Sequence, residues 1–167
     1  MTDNSGIRGK QSAVTGFAHE HIAVGILMKK YGDVSLVNLP LSTYDLIIVR
    51  EKNGFDDFIR AQVKTATKRV SFTGGSRGGI DRTYFSDVKT YRQSPDTSDV
   101  IIGVHPNGTS FDLFFIPTIL IEILDQDSIS INRINPLKNN YDMLENCKDK
   151  GYVLTKAIEF NIVREQK

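Results

Sequence analysis

The stretch YDLIIVREKNGFDDFIRAQVKT, residues 44–65, decides the fold of this chain of 167 residues. It begins with YDLIIVRE (44–51), whose branched apolar residues favour a buried β-strand. The turn residues Lys52-Asn53-Gly54 follow, and Asn-Gly readily adopts the positive φ angles that two-residue hairpin loops require. FIRAQVKT (58–65) then returns as a second strand. The stretch therefore predicts an antiparallel β-hairpin.

The alternation of side chains along a strand assigns two faces to the second half of this hairpin. The set expected to face the core is small or β-branched and consists of Ile59, Ala61, Val63 and Thr65. The opposite set becomes more polar toward the end of the strand and consists of Phe58, Arg60, Gln62 and Lys64. Because the strands are antiparallel, Asp45 is expected beside Gln62 and Lys64, and the register decides the exact pair.

These three side chains suit a site for a hard divalent cation such as Mg²⁺, with Mn²⁺ as a substitute. Such ions take oxygen ligands and keep positions open for water and phosphate. Asp45 offers a carboxylate oxygen, Gln62 an amide oxygen and Val63 a backbone carbonyl. A bound cation polarises a phosphoryl oxygen and lowers the pKa of a water molecule. Lys64 would orient that water and offset negative charge in the transition state.

The flanking sequence predicts helices and further strands around the hairpin. Helices are expected over residues 14–30, ending at Tyr31-Gly32, over 117–124, opened by Pro117, and over 141–148. Strands are expected over 34–38, 98–104 and 110–116, and the last two flank the turn residues His105-Pro106-Asn107-Gly108 and form a second hairpin. Residues 1–12 are expected to form a flexible N-terminal arm, residues 71–82 a mobile loop, and residues 83–93 are ambiguous, with a helix as one interpretation. This order predicts one α/β or α+β domain over residues 1–167, with helices flanking a mixed central β-sheet.

The amino-acid composition indicates in which cellular compartment the protein is expected. The single cysteine, Cys147, rules out an intramolecular disulfide and a cysteine metal cluster, which favours a reducing compartment. No apolar run approaches the roughly 20 residues that span a bilayer, and the N-terminus lacks a signal-peptide core. We therefore expect a cytoplasmic protein with no membrane partner.

Charge is distributed unevenly, although the net charge is only +1. Residues 60–92 hold eight basic side chains against two acids, whereas residues 112–149 hold seven acids against three bases. A basic stretch attracts a phosphate backbone, and it can equally be an ordinary solvated face. The residues expected to contact DNA are Lys68, Arg69, Arg77 and Arg82.

The hairpin motif resembles the PD-(D/E)XK nuclease superfamily, which includes restriction enzymes, homing endonucleases and Holliday-junction resolvases. The superfamily pattern, an aspartate on one strand and acid-x-lysine on the next, falls on Asp45 and Gln62-Val63-Lys64. GFAHE (16–20) resembles the preceding helix of the superfamily, which implies a catalytic role for Glu20 through a water-mediated metal contact. YDLIIV with QVKTAT, and SDVIIGV with FDLFFIP, are similar to small resolvase-like members. The resemblance covers residues 16–124 and implies a restriction-endonuclease-like core.

Two positions depart from this pattern. Tyr44 stands where the superfamily has proline, and Gln62 replaces the usual acid and brings no charge to a metal. The resemblance implies a Mg²⁺-dependent endonuclease for double-stranded or branched DNA. Because each site cuts one strand, it also implies a homodimer or higher oligomer. Gln62 keeps open the alternative of a weakly active or inactive nuclease-fold module that binds nucleic acid. A third possibility is an unrelated α/β protein in which these residues are structural.

Overall fold

The structure is a computed structural model that describes residues 4–39, 41–74 and 90–164. Its elements in chain order are α1 (Asn4–Tyr31), β1 (Val34–Leu36), β2 (Leu46–Lys52), β3 (Phe55–Thr65), β4 (Arg69–Ser71), β5 (Thr73–Gly74), β6 (Tyr91–Arg92), β7 (Val100–Asn107), β8 (Ser110–Pro117), α2 (Thr118–Leu124), β9 (Ser128–Ser130), a 3₁₀ helix (Asn135–Leu137), α3 (Tyr141–Glu145) and α4 (Lys150–Glu159). No helix within the described ranges combines the length and the apolar composition needed to cross a membrane.

Strands β2 and β3 confirm the predicted hairpin. They pair antiparallel, with Leu46 opposite Ala61. The loop between them consists of Asn53 and Gly54, whose φ angles of 56° and 79° both lie in the left-handed region. Strand β3 begins at Phe55, earlier than predicted, because pairing continues up to the two-residue turn.

The hairpin belongs to a five-stranded sheet with the order β1-β2-β3-β7-β8. Strands β3 and β7 are parallel, with Ala61 beside Val100, and the other neighbouring pairs are antiparallel. The predicted second hairpin, β7 with β8, is confirmed, but pairing extends to Asn107 opposite Ser110. The turn is therefore shorter than predicted and consists of Gly108 and Thr109.

Apolar side chains are buried on both faces of this sheet. One face is covered by α1 and α3 and includes Ala23, Leu27, Leu46, Ile48, Ile59, Ala61, Val63, Ile102 and Leu144. The other face is covered by α2 and α4 and includes Val70, Phe72, Ile101, Phe114, Ile116, Leu120, Val153 and Ala157. The interior strand β7 contributes to both layers. A mixed sheet flanked by helices is the predicted fold class, and the structure confirms it.

The first helix begins earlier than predicted. Residues 4–12 belong to this helix, whereas the sequence predicted a helix only from residue 14. Glycine and serine lower helix propensity in this stretch, but no proline interrupts it, and the helix continues through. The predicted end at Tyr31 is confirmed, with Gly32 at φ 78° and its N–H donating to the Met28 carbonyl at 3.0 Å.

Three further predictions need correction. Residues 91–92, assigned to a possible helix, form strand β6, and residues 73–74, assigned to a loop, form its partner β5. Helix α3 ends at Glu145, short of the predicted residue 148. Helix α4 was not predicted, although Asp149 marks its start by accepting a hydrogen bond from the backbone N–H of Tyr152 at 3.0 Å.

Candidate active site

Asp45 and Gln62 lie side by side at the open end of the hairpin, opposite its turn. The backbone N–H of Asp45 donates to the Ala61 carbonyl at 2.9 Å, which places Asp45 directly before β2 and against β3. The carboxylate oxygen Oδ2 of Asp45 accepts from the backbone N–H of Val63 at 2.7 Å and from the side-chain nitrogen Nε2 of Gln62. The register therefore brings the two expected ligand side chains into direct contact.

Lys64 and Glu20 form a charged cluster with Asp45. Burial raises the pKa of Asp45, and the hydrogen bond from Val63 and the charge of Lys64 oppose this rise. Burial, followed by the charge of Asp45, raises the pKa of Glu20 to about 7, against the opposing charges of His21 and Lys64. Asp45 is thus close enough to Glu20 for its charge to raise the pKa of Glu20. Without a cation, Glu20 is partly protonated near neutral pH.

Helix α1 carries Glu20 to the cluster because the neighbouring histidine anchors the helix to β3. Nδ1 of the buried His19 lies 2.9 Å from the Thr65 hydroxyl at the end of β3. His21 points elsewhere, is exposed, and lies with Nδ1 2.9 Å from the Phe17 carbonyl. The contact between His19 and β3 therefore positions Glu20, the next residue on the helix.

The Gln62 amide has a defined orientation. Its nitrogen faces Asp45 and is also 3.5 Å from the carbonyl oxygen of Val63. Its oxygen Oε1 accepts a hydrogen bond from Nε2 of Gln93 at 3.2 Å. The nitrogen must be the atom beside the carboxylate in the metal-free protein, because an amide oxygen there would set two acceptors against each other.

Gln93 is a member of this site that the sequence analysis missed. It is only 1% exposed. Its Oε1 accepts from the Thr97 hydroxyl at 2.5 Å and the Ser98 hydroxyl at 2.9 Å, and its Nε2 donates to the Thr43 carbonyl at 3.2 Å. A buried polar side chain needs such partners, but its burial has no periodic signature. Nothing in the ambiguous segment 83–93 could have indicated it.

Tyr91, on strand β6, also faces the cluster without having been assigned to it. Burial and then the charge of Asp45 raise the pKa of its hydroxyl, and a hydrogen bond with Gln93 opposes this rise. The hydroxyl is therefore neutral at physiological pH. It adds a further polar group to the same side of the site.

The donor set fits a hard cation that keeps several water ligands. The Asp45 carboxylate and the Val63 carbonyl already face one point, which the nitrogen of Gln62 occupies. Within the described ranges, no three histidine, cysteine, aspartate or glutamate side chains form a metal-binding group. A cation would thus be bound by the Asp45 carboxylate and by neutral oxygens, and it would contact Glu20 through a water molecule. Mg²⁺ tolerates such a small set of protein ligands.

Two of the four residues expected to contact DNA are described. Lys68 and Arg69 are exposed just beyond the end of β3. The Arg69 guanidinium donates to the hydroxyl of Ser128 at 2.9 Å and to its carbonyl at 3.0 Å, which links β4 to β9. Arg77 and Arg82 lie outside the described residues.

Other arginines of the basic stretch are paired with acids from elsewhere in the chain. Arg60 contacts Asp99 at 2.8 Å. Arg92 contacts Asp125 at 2.5 Å and Asp127 at 3.0 Å. Counting charges along the sequence therefore overstated the positive charge that this stretch presents to a phosphate backbone.

The arrangement of the sheet and its helices is a nuclease-like fold. Among solved structures, that of the bacterial homing endonuclease I-Ssp6803I is similar, with a TM-score of 0.52 over 71% of this chain and 76% of that chain. The two sequences are 16% identical, so the likeness concerns the fold. No protein-family model matches the chain, and no curated protein matches its sequence.

Proposed function

We propose that the chain is a metal-dependent endodeoxyribonuclease of the PD-(D/E)XK type that hydrolyses DNA phosphodiester bonds. The observation that carries this proposal is the contact of Asp45 with Gln62 at the open end of the hairpin, with Lys64 next on the same strand face. The likeness in fold to a homing endonuclease supports a nuclease in particular.

The proposed role of each residue follows from its chemistry. Asp45 is the charged cation ligand, and the Val63 carbonyl and the Gln62 amide oxygen are neutral ligands. Mg²⁺ or Mn²⁺, when bound, polarises a phosphoryl oxygen and makes water a better nucleophile. Lys64 orients the attacking water and stabilises negative charge on the phosphate. Glu20 would contact the cation through a water molecule, and the charge of a bound cation would lower its pKa from about 7 and favour the carboxylate.

The proposed substrate is double-stranded or branched DNA. Lys68 and Arg69 would contact its backbone beside the site, together with Arg77 and Arg82. Cutting both strands requires two active sites, so we propose that the protein acts as a homodimer or higher homo-oligomer. We place it in the cytoplasm, where its buried Cys147 would remain a thiol.

A second candidate function is a nuclease-fold module that binds nucleic acid without cutting it. One observation favours it. The Asp45 carboxylate accepts its hydrogen bonds from Gln62 and Val63, so it is satisfied without a cation. In that case the hairpin end would be a structural cluster, and DNA affinity would not depend on Mg²⁺.

The test is cleavage of a random-sequence duplex library and of a four-way DNA junction, with Mg²⁺, Mn²⁺ or EDTA. We expect cleavage with either cation and none in EDTA. Asp45→Asn should reduce cleavage to the EDTA level and largely preserve DNA binding, because it removes the charged ligand with little change in volume. Asp56→Asn, at the turn end of the same hairpin and exposed, is the matched control and should cleave normally.

The outcomes separate the two candidates. Wild-type cleavage by Asp45→Asn would reject Asp45 as a ligand. DNA binding that is equal in Mg²⁺ and EDTA, with no cleavage of either substrate, would favour the binding module.

A further inference from the structure

Gln62 faces Asp45 with the wrong atom for a metal ligand. Its nitrogen, not its oxygen, lies against the carboxylate and near the Val63 carbonyl. For its oxygen to reach a cation at this place, the amide must turn over. The energy of turning depends on what holds the other end of the amide.

Gln93 holds that other end. Its Nε2 donates to the Gln62 oxygen at 3.2 Å. If the Gln62 amide turned over, its own nitrogen would face the nitrogen of Gln93, and two donors would meet without an acceptor. The existing bond would therefore be lost before the Gln62 oxygen could serve a cation.

Gln93 cannot readily turn in step with Gln62. Its oxygen accepts from the hydroxyls of Thr97 and Ser98, and its nitrogen also donates to the backbone carbonyl of Thr43. Turning it would place its oxygen against the Thr43 carbonyl inside a buried network, where two acceptors would face each other without a donor. The Thr43 carbonyl belongs to the backbone and cannot change its role.

We propose that Gln93 is a positioning residue that weakens divalent-cation binding by holding the Gln62 amide nitrogen against the Asp45 carboxylate. A cation that binds here has to displace the Gln62 amide nitrogen and break the hydrogen bond between Gln62 and Gln93. Gln93 would act on the cation through its hydrogen bond to Gln62. This inference rests on the proposed metal site and adds a residue that sets its affinity.

The first test is calorimetric titration of the metal-free protein with Mn²⁺. Gln93→Met keeps the side-chain length but cannot donate to Gln62. We expect it to bind Mn²⁺ about fivefold more tightly, the effect of one net hydrogen bond. Gln126→Met is the matched control, because within the described chain the buried amide nitrogen of Gln126 has no partner, and its Mn²⁺ affinity should equal that of the wild type.

A double-mutant cycle shows whether the effect passes through Gln62. In a Gln62→Leu background, Gln93→Met should leave Mn²⁺ affinity unchanged, because no amide remains to be held. An equal gain in both backgrounds would overturn the proposal, as would equal affinities of wild type and Gln93→Met. If wild type bound no Mn²⁺ at all, the proposed function and this inference would both fail.

A second measurement needs only the folded wild type, so it stands even if Gln93→Met does not fold. The side-chain amide resonances of glutamine are followed by nitrogen-15 NMR during addition of Mg²⁺, with Gln62 assigned from its absence in Gln62→Leu. We expect the Gln62 and Gln93 resonances to move together and the Gln126 resonance to stay. Movement of Gln62 without Gln93 would show that their bond survives, and would overturn the proposal.

Discussion

At the scale of single residues, the amide at position 62 explains how the hairpin end is stable without a cation. A carboxylate at this position would lie against the Asp45 carboxylate, and two such groups cannot both remain charged at hydrogen-bond distance. The amide donates instead, and it satisfies an oxygen of Asp45. The amide at position 62 thus has a direct structural role.

Replacing the Gln62 amide by an acid should lower the stability of the metal-free protein and raise its affinity for metal. We expect Gln62→Glu to lower the free energy of unfolding in EDTA by about 1–3 kcal/mol, because a donor to Asp45 is lost and a like charge is added. Mn²⁺ should bind more tightly than to the wild type and restore stability. Thermal melts in EDTA and in Mn²⁺, beside calorimetric titration, measure both effects.

Gln62→Leu is the comparison for that experiment. It removes the oxygen at similar size and adds no charge, so metal binding should weaken. Equal Mn²⁺ affinities of the wild type, Gln62→Glu and Gln62→Leu would exclude position 62 from the metal site, and the proposed nuclease function would then rest on Asp45 and Lys64 alone.

Glu20 should make stability depend on pH in the metal-free protein. Burial first, and Asp45 second, raise its pKa from 4.5 to about 7 in the folded state. The folded state then binds more protons than the unfolded state between these values, so the contribution of Glu20 to stability falls as pH rises from 4.5 through 7. Its side chain is partly exposed, and solvent screening limits the loss to about 1 kcal/mol.

The measurement is denaturant unfolding of wild type and Glu20→Gln in EDTA from pH 5 to pH 8. Because the amide does not titrate, Glu20→Gln should gain stability over the wild type as pH rises, and the gain should level off above pH 7. A difference that stays constant across this range would show that Glu20 is not perturbed by its neighbours.

At the scale of elements, the interior strand β7 is packed closely by the segment after β3 because one of its residues has no side chain. Gly103 pairs with Lys64 of β3. A Cβ atom at Gly103 would lie 3.0 Å from Val70 and 3.2 Å from Ala66. The segment after β3 therefore packs directly on β7, and Lys64 lies beside this tight layer.

Gly103→Ala should be destabilising for this reason. We expect a loss of about 1–3 kcal/mol in the free energy of unfolding, the usual effect of overpacking a core. Gly25→Ala is the control, since Gly25 lies on the exposed side of α1 with nothing within 4 Å of its added Cβ. It should stabilise by roughly 0.5–1 kcal/mol through helix propensity. Denaturant unfolding measures the stability of both variants. If Gly103→Ala were as stable as the wild type, the residues packed on β7 would shift without cost to make room for the added methyl group.

At the scale of the whole molecule, the sequence predicted features that depend on neighbouring residues and missed features that depend on distant ones. Both hairpins and helix α2 were predicted because Asn53-Gly54, Gly108 and Pro117 act through their own neighbours. The contact of Asp45 with Gln62 follows from the first of these turns. The parallel pairing of β3 with β7 and the buried position of Gln93 depend on segments far apart in the chain, and no local pattern encodes them. The acids that pair with Arg60 and Arg92 also lie far away in the sequence, so a count of charges along the chain overstated the free positive charge.

The parallel pairing of β3 with β7 has a consequence during synthesis on the ribosome. The hairpin of β2 and β3 closes within a short stretch of chain, but its outer edge has no partner until β7 has emerged. A nascent chain that ends between these strands would expose an open edge backed by apolar side chains, the kind of surface on which chains aggregate. We therefore expect translational pausing before β7 to be harmful, and a chaperone that shields strand edges to raise the yield of native protein.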